Sequence, residues 1–238
     1  MREMLNKIFD RFKVNETDRK EIIKIILPII SHEEFINRCH VKLYPHHDNI
    51  SLGEHIMSVA VVSYLKAKKK YNDKDTISLC VIIAMFHDLY ELPWQNAKSK
   101  KKLFNKHGFV HPIEGIINAI NWYPDYFKDL ERSKLIIDAV IHHMYPFPAR
   151  CIIGDIESLD LNNYEKFYML DDCYKEMIIA SSNRHKVGCI SICRSYYKLG
   201  DIVSKADKTV SFNNDLKLSK LITLITGVNK DLDNYSKN

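Results

Sequence analysis

Apolar residues recur at the three- and four-residue spacing of an amphipathic helix along almost the whole chain. Glycine and proline, which most often interrupt helices, number only seven each among 238 residues. Long helices are therefore favoured over short strands joined by tight turns. We predict an all-α fold in a single domain, residues 1–238, because no internal repeat or linker divides the chain.

The same periodicity locates the individual elements. Residues 75–90 form a segment that is apolar on nearly all sides, which indicates a central helix. Asn49 and Ser51 are candidate caps for the helix that follows them. Residues 93–108 are predicted to be a polar, lysine-rich loop and residues 146–163 to be irregular. The predicted helices are 2–13, 17–30, 52–70, 75–90, 112–121, 132–144, 164–182, 185–210 and 214–226.

Composition and charge set wide limits on function and location. The net charge of +5 permits an anionic substrate or a nucleic acid but requires neither. The most apolar runs, EIIKIILPII and ISLCVIIAMF, fall short of the ~20 residues that span a bilayer. The six cysteines are scattered, and we interpret them as reduced thiols. We therefore expect a cytoplasmic protein with no membrane partner, and the oligomeric state stays open.

Several of the eleven histidines lie at the ends or inner faces of separate predicted helices. The intervals between successive members of this set are 32, 24, 32 and 64 residues. Such intervals allow one ligand per helix, with the helices packed around a common pocket. The set consists of His55, the doublet His87-Asp88, His111, the pair His142-His143, and Asp207.

This mixture of side chains suits a metal site. Imidazole nitrogens bind borderline divalent metals, and carboxylates can bridge two cations. Adjacent residues on one helix point about 100° apart, so His87 and Asp88 could reach neighbouring metals. Two metals ~3.5–4 Å apart can clamp a phosphoryl group and ionise a bridging water. A structural zinc site would more plausibly use closely spaced cysteines.

Five ordered blocks carry a family resemblance: HHDNISLGEHIMSVAVVSY, FHDLYELPW, HGFVHPIEGIINAI, IHHMYPF and ADKTV. They resemble the successive motifs of the HD-domain superfamily of metal-dependent phosphohydrolases, in bacterial members with an extended histidine set. The resemblance covers residues 44–148 and 200–212 and implies an HD-type helical bundle. About 64 residues separate His143 from Asp207, more than such relatives need, so residues 150–195 are interpreted as an insertion. The insertion could form a lid, a specificity element or an interaction surface.

The resemblance also implies roles for individual residues. His87 and Asp88 match the signature doublet and are the implied catalytic residues, with Asp88 as the implied bridging carboxylate. His111 and His143 match the two extra histidines of binuclear members, and His142 is a less secure candidate beside them. The implied metal ligands are His55, His87, Asp88, His111, His143 and Asp207. So many imidazoles disfavour magnesium, and we expect one or two divalent ions, Mn, Fe or another transition metal.

The implied reaction is hydrolysis of a phosphoester, of a nucleotide or a related small molecule, by a metal-bound hydroxide. Asp88 or Glu54 could assist as a base. Two alternatives remain open: a di-iron oxygenase on the same scaffold, and a non-catalytic metal- or nucleotide-binding module. The chain lacks the GYP element, so cyclic-di-GMP hydrolysis is not supported.

The lysine-rich stretch after the doublet could draw a phosphorylated substrate toward the metals. Its alternative is an ordinary solvated face. The candidate substrate-binding residues are Lys98, Lys102 and Lys106, together with Lys100 and Lys101.

Three further groups of residues have two interpretations each. His46 and His47 could line the pocket mouth, but we favour the start of a turn. Trp94, Tyr90 and Tyr145 could stack on a nucleobase or form an aromatic wall. His185, Cys189 and Cys193 share one helical face, which we interpret as a core face rather than a second metal site.

Overall fold

A computed structural model describes residues 1–47, 49–91, 107–145, 164–182 and 194–214. These residues form ten α-helices, one 3₁₀ turn and one two-stranded antiparallel hairpin, which confirms the all-α prediction. In chain order they are α1 (Arg2–Arg11), α2 (Glu16–Ile30), α3 (Glu33–Arg38), β1 (Pro45–His47), β2 (Ile50–Ser51), α4 (Leu52–Lys68), α5 (Lys74–Phe86), α6 (His107–Trp122), the 3₁₀ turn Pro124–Phe127, α7 (Leu130–Ile141), α8 (Tyr164–Tyr168), α9 (Asp172–Ser182) and α10 (Lys198–Asn214).

Helices α4 and α5 form the centre of the fold. They pack against each other, and α10 and α1 cover further faces of α4, while α2 and α7 cover α5. Almost every residue of α4 from Leu52 to Tyr64 is buried, and so is every residue of α5 from Cys80 to Phe86. The central position predicted for the segment 75–90 is therefore confirmed for the part that is helical.

Side-chain caps determine where several of these helices begin. The Ser51 hydroxyl accepts a hydrogen bond from the Glu54 amide at 3.2 Å, which confirms Ser51 as the cap of α4. Asp73 accepts from the Thr76 amide at 2.8 Å at the start of α5. Each cap satisfies an amide that the first helical turn leaves without a backbone partner.

The observed helix boundaries differ from the prediction at several points. Helix α5 ends at Phe86 instead of residue 90, and α6 begins at His107, inside the predicted loop 93–108. The predicted helix 164–182 is divided into α8 and α9, and residues 194–197 of the predicted helix 185–210 are not helical, so that α10 begins at Lys198. Helix α3 and the hairpin were not predicted at all, because both are too short for a periodicity signal.

Some predicted features lie outside the described residues. These are the loop between residues 92 and 106, the irregular segment 146–163, the first part of the predicted helix 185–210 and all but the first residue of the predicted helix 214–226.

A buried polar cluster joins α2 to α4. The Tyr64 hydroxyl lies 3.0 Å from Asp18 Oδ1 and also contacts the Glu21 carboxylate. Lys68 Nζ approaches the same Asp18 oxygen at 2.5 Å. Burial alone would raise the pKa of Asp18, yet its pKa is lowered because Lys68 and Tyr64 donate to the carboxylate. The cluster therefore ties the two helices together through an ionised Asp18.

Replacement of Tyr64 by Phe should destabilise the fold by about 1 kcal/mol, because a net intramolecular hydrogen bond contributes roughly that much. The measurement is the free energy of unfolding from urea denaturation. Tyr197, whose side chain is exposed, provides the matched control Tyr197→Phe. Equal stabilities for the two variants would contradict the role given to the Tyr64 hydroxyl.

Candidate metal centre

Five helices bring six buried donor side chains to one place. His55 lies in α4, His111 in the first turns of α6, and Asp207 in α10. His87 and Asp88 follow the last residue of α5, and His143 follows the end of α7. The six side chains, all buried, are His55, His87, Asp88, His111, His143 and Asp207.

The first donor group surrounds His55. Its Nε2 atom lies 3.2 Å from Asp207 Oδ1, 3.5 Å from Asp88 Oδ2 and 3.4 Å from His87 Nε2. His87 Nε2 lies 3.4 Å from the same Asp88 oxygen and 3.9 Å from Asp207 Oδ1. Two imidazoles and two carboxylates therefore face one small volume.

The second donor group uses the other oxygen of Asp88. His111 Nε2 lies 3.1 Å from Asp88 Oδ1, and His143 Nε2 lies 3.5 Å from it. The two Nε2 atoms are 3.1 Å apart. Because its two oxygens face different groups, Asp88 has the geometry of a bridging carboxylate.

Hydrogen bonds to the backbone orient two of the imidazoles. His87 Nδ1 is 2.6 Å from the Ala84 carbonyl, and His143 Nδ1 is 2.8 Å from the Val140 carbonyl. A carbonyl can only accept, so Nδ1 bears the proton in both rings. The Nε2 lone pair of each ring is then left to face the donor groups, as in metal-ligating histidines.

The donor set fits one or two divalent cations. The Nε2 atoms and carboxylate oxygens lie within 3.1–3.9 Å of one another. At such distances their lone pairs repel each other unless a proton or a cation lies between them. Asp88 Oδ1 is buried and accepts no hydrogen bond of acceptable geometry from the described residues. Mixed imidazole and carboxylate donors suit transition metals. The cluster is therefore compatible with a metal site.

The protonation states favour metal binding near neutral pH. Burial lowers the pKa of His87 to about 4, because it disfavours the charged imidazolium. Burial opposes ionisation of Asp88, yet the positive charge of His87 and His111 in their protonated forms holds the pKa of Asp88 well below the usual value. The pKa of Asp207 is also lowered against the effect of burial, mainly by His55. His87 is thus neutral and both carboxylates are charged, as ligands must be.

The turn that carries the doublet, residues 87–90, is held by side chains from other elements. The Leu89 carbonyl accepts a hydrogen bond from Asn118 Nδ2 of α6 at 2.6 Å. The Tyr90 carbonyl accepts from Arg38 Nη2 of α3 at 2.8 Å. These tertiary bonds replace helical partners and explain why α5 ends before the doublet instead of continuing to residue 90.

Helix α6 lies directly against this turn. A Cβ atom on Gly115 would come within 3.1 Å of the His87 carbonyl oxygen and 3.3 Å of the Leu89 nitrogen. Cβ contacts this short are rare, so a larger residue would require the turn to shift by a few tenths of an ångström, whereas glycine does not. His111, Gly115 and Asn118 recur at helical spacing, so one face of α6 supplies a donor, the close contact and the hydrogen bond.

Arg38 supports the turn from a fully buried position. Its guanidinium lies between the rings of Tyr44 and Trp122, 4.8 and 4.4 Å from their centroids. Its Nη1 atom donates to the Glu34 carbonyl at 2.7 Å and to the Glu34 carboxylate at 3.1 Å. These contacts offset the cost of burying the charge. Sequence analysis missed Arg38, because nothing in its neighbourhood along the chain marks it as buried.

Other candidates have different surroundings. His142 donates from Nδ1 to the Asp138 carbonyl at 2.8 Å at the end of α7. Glu54, considered as a base, pairs with Arg11 at 3.1 Å. Tyr90 is buried edge-on to His111, which makes it part of an aromatic wall. The ring of Tyr145 lies against Lys208 and Arg194.

His46 lies in the strand that leads into the hairpin turn, as the favoured interpretation expects, and it also borders the donor cluster. It lies in β1, is buried, and stacks on His55 with a centroid distance of 3.8 Å. His46 precedes His55 by nine residues, but this spacing alone does not predict a contact between the two rings.

The remaining predicted residues lie outside the described parts of the chain, and so does the side chain of His47. They are Trp94, Lys98, Lys100, Lys101, Lys102, Lys106, His185, Cys189 and Cys193.

Comparison with known proteins found no matching family model, no matching curated protein and no matching solved structure. What this chain does is therefore inferred from its own residues and their geometry. None of the helices in the described ranges has the length and apolar character needed to cross a membrane.

Replacement of Gly115 by Ala should push the doublet turn away from α6 and weaken metal binding by ~10–100-fold, as loss of ligand support typically does. The control is Gly108→Ala on the same helix, where an added Cβ meets nothing within 4 Å. That variant should keep wild-type affinity. Isothermal titration with Mn²⁺ measures both, and equal affinities would contradict the proposed contact.

The metal-free protein should lose stability as the pH falls from about 6.5 toward about 4. Unfolded His87 takes up a proton near its ordinary pKa of 6.5, whereas the folded residue resists until about 4. The unfolded state therefore binds more protons in this window, and acidification favours it. Urea midpoints across the window measure the effect. A His87→Asn variant should show a shallower dependence, and an unchanged slope would count against the assignment.

Proposed function

We propose that this chain is a metal-dependent phosphohydrolase of the HD type, which cleaves a phosphoester of a nucleotide or a related small molecule. The observation that carries the proposal is the convergence of four buried histidines on Asp88, two at each of its carboxylate oxygens. The order of the motif blocks, which resembles that of the HD-domain superfamily, supports the same assignment.

Each half of the centre would hold one cation. His55, His87 and Asp207 with Asp88 Oδ2 form the first set of ligands, and His111 and His143 with Asp88 Oδ1 form the second. Bound there, one or two ions, for which the imidazole-rich set favours Mn or Fe, would supply an ionised water and polarise the phosphoryl oxygens.

The chain's own residues prepare the centre for this chemistry. The ionised Asp88 carries negative charge between the two halves, and neutral His87 keeps its lone pair available. The hydrogen bonds from Asn118 and Arg38 hold the doublet in place, so little reorganisation is needed when the site is used. Burial excludes bulk water and strengthens every electrostatic interaction inside the centre.

Substrate recognition follows from charge. The net charge of +5 is compatible with an anionic substrate. We propose Lys98, Lys102 and Lys106 as contacts to its phosphate, on the basis of the sequence alone. We also propose a cytoplasmic location, which agrees with free thiols at Cys39, Cys80 and Cys173.

The decisive experiment is turnover of a phosphoester panel by the full chain loaded with Mn²⁺ or Fe²⁺. Replacement of Asp88 by Ala should abolish metal-dependent turnover, because it removes a ligand from both halves of the centre. Asp125→Ala changes an exposed aspartate and should leave turnover unaltered.

Retained activity in the Asp88 variant would contradict the assignment. Oxygen consumption by the reduced iron form, without phosphoester cleavage, would indicate a di-iron oxygenase instead of a phosphohydrolase. Tight nucleotide binding without turnover under every metal would replace it with a non-catalytic module.

A further inference from the structure

The histidines of the centre are held in different ways. His87 and His143 lie just past the ends of α5 and α7, where the last carbonyls of a helix have no helical partner. Their Nδ1 atoms donate to carbonyls of these last turns, that of Ala84 and that of Val140. His55 lies in the first turns of α4, where the carbonyls are already used by the helix. Among the described residues, its Nδ1 atom has no hydrogen-bond partner.

The ring of His46 takes the place of that hydrogen bond. The His46 and His55 rings are stacked, with centroids 3.8 Å apart and planes inclined by 27°. Both rings are buried, so they cannot turn without disturbing the surrounding core. The stack therefore fixes the orientation of His55, the ligand that faces Asp207 and Asp88 Oδ2.

The hairpin ties His46 to the helix that carries His55. Pro45 of β1 pairs with Ser51 of β2, and Ser51 is also the cap of α4. The Leu52 amide donates to the Tyr44 carbonyl at 2.9 Å. His46 is thus positioned by the same residues that start α4, and the hairpin belongs to the support of the metal centre.

Ring geometry separates His46 from the ligands themselves. A nitrogen of His46 lies within 4.8 Å of donor atoms of His55 and Asp88, so proximity alone does not exclude ligation. However, an imidazole binds a cation in its own plane, at ~2.0–2.1 Å from nitrogen. A cation in the plane of His55 would lie well outside the plane of a ring stacked on it. A single ion therefore cannot be coordinated by both rings with good geometry.

We propose that His46 is a positioning residue of the metal centre, which holds His55 by stacking and does not bind the metal. This inference rests on the metal site of the proposed function but not on phosphoester hydrolysis. It predicts that a flat apolar ring can replace His46, whereas a small side chain cannot.

The test compares His46→Phe with His46→Ala in the full chain by titration of the metal-free protein with Mn²⁺. His46→Ala should weaken Mn²⁺ binding by ~10–100-fold, the usual cost of removing support from a ligand. His46→Phe should stay within a few-fold of the wild type. His40→Ala, at an exposed histidine, is the control and should bind as the wild type does.

Each other outcome overturns the inference. Equal weakening in the Phe and Ala variants would show that the nitrogen of His46 is needed, which makes it a ligand. Unchanged binding in the Ala variant would show that the stack has no role. If His46→Ala does not fold by circular dichroism, His46→Leu, which fills space without a flat ring, takes its place and should bind as weakly as predicted for Ala.

The result is distinguishable from failure of the proposed function. If the wild type binds Mn²⁺ and the variants show the predicted order of affinities, but no phosphoester is cleaved, the role of His46 is supported and the hydrolase assignment is contradicted. A wild-type chain that binds no divalent metal would remove both.

Discussion

The burial of the Asp88 carboxylate is the constraint on which the rest of the centre depends. A carboxylate in the interior of a protein is costly unless it is paired on every side. Here both oxygens face imidazole nitrogens, two on each side, so a proton or a cation shared among these atoms completes the pairing. This pairing requires α4, α5, α6 and α7 to meet at one point, and Asp207 brings α10 to the same point. The packing of the five helices therefore determines the arrangement of the donor atoms in the centre.

The ends of the helices help to orient the donor side chains. His87, Asp88 and His143 lie just beyond helical C-termini, where free carbonyls can orient an imidazole. His55 is near an N-terminus, where no such carbonyl exists, and a ring from the neighbouring hairpin lies against it. The histidines are thus supported by backbone where backbone is available and by stacking where it is not.

A second layer of contacts holds the doublet itself. Gly115 lets α6 approach the turn, Asn118 bonds to one of its carbonyls, and Arg38 bonds to the next. Arg38 can do so from the interior because its guanidinium lies over the rings of Tyr44 and Trp122 and its Nη1 atom donates to Glu34. A site of this kind is organised before any ligand arrives, which is what electrostatic catalysis requires. The proposed hydrolase activity and the proposed positioning role of His46 both rest on that organisation.

The sequence by itself determined the all-α class, the central helices and the six donor residues. These depend on local signals: apolar periodicity in 52–68 and 74–86, the Ser51 cap, and donor types that recur at the ends of such segments. Only the tertiary structure decided where α5 ends, that Arg38 is buried, and that His46 stacks on His55. Each of these depends on partners far away in the chain, such as Asn118 for the Leu89 carbonyl. Periodicity reports how a residue relates to its neighbours along the helix, whereas the partner of a buried polar group is chosen by how the helices pack.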